Sequence, residues 1–161
     1  MKYSTALVVG RFQPFHKGHW YLLQQALSVA DSVVIAVGSS NIQNEDNPLS
    51  FEQRVEMLKL VLKHEKIEDL VKQIVPCPDF PDDETWTRTL LQNAGEFQVA
   101  LGNNDWTNSV LAAAGYNVLS VPFLDREIYQ GQYIRKLFRS GGNWQERAPM
   151  YLHDFLEKAL T

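Results

Sequence analysis

Val8-Val9-Gly10-Arg11-Phe12-Gln13-Pro14-Phe15-His16-Lys17-Gly18-His19 holds the end of a strand, a tight loop and the start of a helix. The apolar run 6–9 that leads into it is β-prone and short enough for a buried strand. Gly10 ends that strand, and Pro14 keeps the loop from turning helical too early. Trp20-Tyr21-Leu22-Leu23-Gln24-Gln25-Ala26-Leu27 then shows the apolar spacing of an amphipathic helix. Two imidazoles and a glycine therefore sit at a helix N-terminus, just past the carboxyl end of a strand.

The first turn of a helix has free backbone N–H groups and the positive end of the macrodipole, so it attracts phosphate. Gly18 removes a side chain that would hold a phosphate off the backbone. His16 and His19, three apart, fall on one helix face and can donate to the same anion. Arg11 and Lys17 add positive charge. A zinc-binding helix would space its histidines i, i+4 and carry a Glu, and this stretch does neither. Phosphate handling is the better reading.

Residues 32–38 form an almost continuous apolar strand of the kind buried in parallel sheets. Residues 4–38 thus make a right-handed βαβ unit, and ligands in such folds sit outside the carboxyl ends of the strands. Gly38-Ser39-Ser40-Asn41 leaves the second strand at the same edge as the histidine loop. Residues 42–49 are a loop. Ser50 and Gln53 then have the spacing of a capping box for a helix over residues 51–62, with Val55, Leu58 and Leu62 on one face. Arg54 lies in its first turn and reads, from the residues alone, equally as a solvated surface arginine.

Residues 67–71 form a short apolar turn, and a third strand is expected over residues 73–77. The loop 78–83 follows, with Asp82 or Asp83 able to cap a helix over residues 84–94. Trp86, in the first turn of that helix, reads as core on its own. Residues 97–101 are a fourth strand closed by Gly102-Asn103-Asn104-Asp105, which is also a plain Asn-rich cap for a helix over residues 106–114. Residues 117–122 are a fifth strand. Residues 144–161 are helical in pattern, with Met150, Leu152, Phe155, Leu156 and Leu160 expected to pack.

His-x-Gly-His after a first strand resembles the signature of the nucleotidyltransferase superfamily. The longer form from Gly10 to His19 resembles the archaeal-type nicotinamide mononucleotide (NMN) adenylyltransferases, and the likeness extends over nearly the whole chain. The resemblance implies an α/β fold, a single domain over residues 1–161 holding a doubly wound five-stranded parallel sheet of order 3-2-1-4-5. It implies adenylyl transfer from ATP to NMN, giving NAD and pyrophosphate. Gly10, Arg11, Phe12, His16, Gly18, His19, Arg54, Gly131, Gln132 and Arg135 would bind ATP, with His16, His19, Arg11 and Arg135 catalytic. Ser39, Asp79, Asp82, Trp86, Gly102 and Asn103 would face NMN, with the cationic pyridinium ring on Trp86. Mg²⁺ would be carried mainly by the ATP phosphates, with no protein metal site.

Asn47-Pro48 through Gln53-Arg54 resembles the family's Asn-Pro…Glu-Arg segment, with Gln53 in place of Glu. Asp125 to Arg135 resembles the superfamily's second phosphate motif. Gly131, Ile134 and Arg135 match it, whereas Gln130 and Gln132 stand where hydroxyl residues are usual. That departure leaves room for a catalytically weak nucleotide-binding relative. A sister transferase with another acceptor, such as a phosphopantetheine or a polyol phosphate, is the other alternative.

The 161 residues suit one domain with a real core, and a formal net charge of −4 argues against a nucleic-acid partner. Small nucleotides remain natural partners, because local charge decides their binding. No apolar run approaches the length of a membrane span, and no signal-peptide pattern precedes Arg11. Cys77 is the single cysteine, so a reducing cytoplasm is the expected home. The chain is too short for the fused hydrolase domain of some relatives, and the resemblance implies a homo-oligomer, commonly a hexamer.

Overall fold

The computed structural model describes residues 2–124 and 130–161. Five parallel strands, β1 (Tyr3–Gly10), β2 (Ala30–Gly38), β3 (Val71–Cys77), β4 (Val99–Gly102) and β5 (Asn117–Ser120), lie in the order β3-β2-β1-β4-β5. The helices are α1 (Lys17–Val29), α2 (Phe51–His64), α3 (Asp83–Ala94), α4 (Asp105–Ala113), α5 (Gly131–Ser140) and α6 (His153–Leu160). The order reverses at β1, which pairs with β2 on one side and β4 on the other. Ligands bind at such a switch point in open α/β sheets.

Strand alternation splits the interior into two cores. Ala6, Val8, Val33, Ile35, Val37, Val99 and Leu101 face one layer, packed under α1, α2, α5 and the C-terminal segment. Leu7, Val34, Ala36 and Ala100 face the other, under α3 and α4. Each fully buried Val, Leu or Ile side chain here contributes about 1.5–3 kcal/mol of transfer free energy. Pro76 lies in β3, an edge strand, where its missing N–H costs no ladder bond.

The expected helices and strands are present with ends shifted by a few residues, except in the C-terminal segment. There two 3₁₀ turns, Gln145–Arg147 and Met150–Leu152, precede α6. Leu152 and Leu156 are buried and Phe155 and Leu160 pack beside them, but Met150 is 82% exposed. The turn aims Met150 outward, against expectation. The second-motif residues 125–129 lie outside the described residues. Among the described residues no helix is long and apolar enough to cross a membrane.

Candidate active site

A cavity of about 440 Å³ opens at the carboxyl ends of the strands. Gly10, Arg11, Phe12, His16, Gly18 and His19 line it from the β1–α1 loop. Ser39, Asp79, Trp86, Asn103 and Gly131 line it from four other segments. Arg54, Asp82, Gly102, Gln132 and Arg135 were expected there too, and the structure does not place them on the wall.

The two histidines cap α1 reciprocally. His16 Nδ1 accepts from Gly18 N at 3.1 Å, and His19 Nδ1 accepts from His16 N at 3.2 Å. A nitrogen that accepts from a backbone N–H carries no proton, so each neutral ring holds its proton on Nε2. Burial favours that neutral form: it lowers His16 to about 3 and drives His19 well below the ordinary value, with His16 and Arg11 adding repulsion. The rings stack with centroids 3.7 Å apart. Two fixed N–H donors thus stand beside the helix N-terminus without the desolvation cost of two buried cations.

Backbone geometry around them is equally specific. Phe12 adopts φ 52° although it is not glycine, and its buried ring packs 4.6 Å from that of His19. Gly10 makes room for this ring, since a Cβ there would lie 2.9 Å from Phe12 Cζ. Ser39, across the cavity, also takes a left-handed φ of 50°.

The three arginines divide into one exposed and two buried. Arg11 is exposed on the cavity wall, with Nη1 3.4 Å from Asn47 Oδ1. Arg54 is fully buried on the inward face of α2. Its Nη1 donates to Gly38 O at 2.7 Å and Arg11 O at 3.0 Å, its Nη2 to Ser39 O and its Nε to Ser50 O. The guanidinium ties α2 to the ends of β1 and β2. Arg135 donates from Nη1 to Gln13 O, while its Nε is buried without a hydrogen-bond partner among the described residues. Gln13 also bonds both backbone groups of Leu49, at 2.8 and 3.0 Å. The loop is therefore braced from three sides. Burial and the charge of Arg11 lower Arg54 to about 10 and Arg135 below its ordinary range. Arg11 repels both buried guanidiniums, and the resulting positive field is one that an anion relieves.

The opposite wall comes from the loops entering α3 and α4. Asp79 is held there by Asn41, whose amide bonds Asp79 N at 2.8 Å and Asp79 O at 3.1 Å. Asp82 instead caps α3, accepting from Thr85 N and Oγ1, and these bonds hold its carboxyl below the usual range. Gly102 turns its carbonyl to Asn108 and Val121. Gln132 donates to Gln130 rather than lining the wall. Trp86 is only 5% exposed and packs edge-to-face with Trp106, which is 46% exposed and lines the cavity. Trp106, Asn104 and Thr107 were not anticipated as site residues. Their signal was their place in the first turn after a strand's carboxyl end, which Trp86 shares. Cys77 also lines the cavity, its thiol pushed up to about 12 by burial and by Asp79.

Residues 7–102 match the cytidylyltransferase-like family. The nicotinamide-nucleotide adenylyltransferase of Saccharolobus solfataricus is 32% identical over 154 residues, covering 95% of this chain and 90% of that protein. The enzyme of the same name from Methanolobus tindarius is 31% identical over 154 residues, covering 95% and 87%. Among solved structures, a bifunctional NMN adenylyltransferase/ADP ribose pyrophosphatase from Francisella tularensis matches with TM-score 0.83 at 26% identity. That match covers 98% of this chain and 51% of the other, so this chain spans about half the length of the bifunctional protein.

Proposed function

The chain belongs to the cytidylyltransferase-like family, and from that membership we propose that it transfers the adenylyl group of ATP to NMN, forming NAD and pyrophosphate. The observation that carries this reading is the stacked His16–His19 pair, fixed as neutral donors at the N-terminus of α1.

The reaction needs no protein nucleophile. The 5′-phosphate of NMN is already an anion at neutral pH and attacks the α-phosphorus of ATP in line. A new P–O bond forms, the α–β bridging bond breaks, and its electrons leave with pyrophosphate. The protein supplies position and charge stabilisation. His16 and His19 donate from Nε2 toward the α-phosphate and the bridging oxygen, and Arg11 pairs with the outer phosphates. Arg54 and Arg135 act from behind the loop, through its carbonyls and their positive field. Ser39, Asp79 and Asn103 face the acceptor.

Magnesium would enter as the ATP complex. Triphosphate oxygens and water would hold the ion. Bound there, it would supply charge neutralisation of the leaving pyrophosphate.

The test is NAD formation from ATP, Mg²⁺ and NMN, followed by a coupled dehydrogenase, with nicotinate mononucleotide and phosphopantetheine run alongside. Preferential NAD formation is expected. Pyrophosphate release with phosphopantetheine alone would replace the acceptor, and ATP binding without turnover would make the chain a nucleotide-binding relative. Light scattering on the purified protein tests the hexamer implied by resemblance.

A further inference from the structure

The loop between β2 and α2 contains a closed turn. Asn44 and Asn47 exchange both of their backbone hydrogen bonds, each at 3.1 Å. Asn44 Oδ1 accepts three more, from Asp46 N at 3.0 Å, Asn47 N at 2.9 Å and Asn47 Nδ2 at 3.1 Å. Two residues on, Gln13 holds both backbone groups of Leu49. Asn47 is thereby fixed from both sides, and it is only 7% exposed. Its amide can point one way. Nδ2 is engaged by Asn44, so Oδ1 faces Arg11, whose Nη1 lies 3.4 Å away. The reverse orientation would set oxygen against oxygen at Asn44 and amide hydrogens against the guanidinium.

Arg11 needs such a hold. Its side chain is long and exposed, and its charge is repelled by the guanidiniums of Arg54 and Arg135 behind the loop. Unheld, it would spread over many rotamers in solvent. From this arrangement we infer that Asn47 is a positioning residue that keeps Arg11 aimed over the cavity for the triphosphate. The inference rests on the reading of Arg11 as a phosphate ligand given above. A neutral oxygen orients the guanidinium without cancelling its charge. The bond is also long, so a shorter, charge-assisted contact with phosphate outweighs it when ATP enters. Glu45, an acid of the same turn, is engaged elsewhere, paired with Arg139 of α5 at 3.4 Å.

The experiment is a double-mutant cycle on Arg11→Ala and Asn47→Ala, read by calorimetric titration with ATP and Mg²⁺ and by steady-state rates. Asn47→Ala is expected to weaken ATP binding about fivefold, the net worth of one hydrogen bond, with the KM for NMN at its wild-type value. In the Arg11→Ala background the same change should add less than about twofold, because the residue through which Asn47 acts is gone. Asn47→Ser keeps a small polar side chain in the turn but draws the acceptor back from Arg11, so it should reproduce the loss even if Asn47→Ala proves unstable. Unchanged ATP affinity in both Asn47 variants overturns the inference. An equal loss with and without Arg11 overturns it too, as does a KM for NMN that rises alongside; each would make Asn47 a general support of the loop. If the wild type binds no ATP, the proposed function falls and takes this inference with it. ATP binding without NAD formation removes the acceptor reading alone, and the calorimetric cycle still decides the role of Asn47.

Discussion

His16 and His19 cap one another's helix turn: each Nδ1 accepts a backbone N–H, and the rings stack at 3.7 Å. The arrangement makes the cap and the phosphate site one structure. Removing His19 is expected to lower kcat by about 10²–10³, the size of losing one preorganised donor, with the fold retained. His16→Asn keeps an N-cap acceptor and removes the Nε2 donor, so it should lose activity without losing the helix. Steady-state rates beside thermal melts check both, and a His16→Asn variant with wild-type kcat would discard the donor role.

The same burial sets a pH dependence of stability. The folded pKa of His16 lies near 3, below the unfolded value of about 6.5, so between these values the unfolded state binds more protons. Stability should fall as pH drops through that window, by up to about 1.4 kcal/mol per pH unit for this group, and should not change on its account above it. Urea midpoints from pH 4 to 8 measure this slope. His16→Asn should flatten it, and an equal slope in both proteins would assign the loss elsewhere.

Arg54 is spent on carbonyls of Gly38, Arg11, Ser39 and Ser50. Arg54→Ala leaves these acceptors short of partners and should cost on the order of 3 kcal/mol, with a raised KM for ATP following from the loosened loop. Arg54→Lys, with a single donor centre, should fall between. Denaturation curves decide the matter: an Arg54→Ala protein as stable as wild type would return this arginine to a direct ligand role.

Gly10→Ala places a methyl 2.9 Å from Phe12 Cζ. Phe12 is buried against His19, so its ring cannot yield without moving the imidazole. Destabilisation of about 1–3 kcal/mol and a larger fall in kcat than in NMN affinity are expected. A fully active Gly10→Ala enzyme would show that the loop has slack.

Asp79 and Asp82 separate cleanly. Asp82→Ala removes the α3 cap and should lower the melting temperature while leaving the NMN KM alone. Asp79→Asn, on the cavity wall, should raise the NMN KM and narrow the preference against nicotinate mononucleotide. Reversed effects in the two variants would exchange their roles.

Much of this protein is written locally. The strand, glycine, proline and His-x-Gly-His order set the β1–α1 unit, because strand period, helix start and phosphate affinity depend on neighbours in sequence. The Ser50–Gln53 capping box was legible for the same reason, and both of its bonds form at 2.9 and 3.1 Å. The family resemblance supplied the sheet order and a first set of site residues. Tertiary structure decided which of them reach the cavity. Arg54 is buried where its guanidinium meets carbonyls that lie 15 to 43 residues away in the chain. Trp86 and Trp106 look alike in sequence, each in a first helical turn, and only their mutual packing leaves one buried and the other exposed. Local chemistry can be read along the chain; burial and long-range hydrogen bonds exist only once distant segments meet.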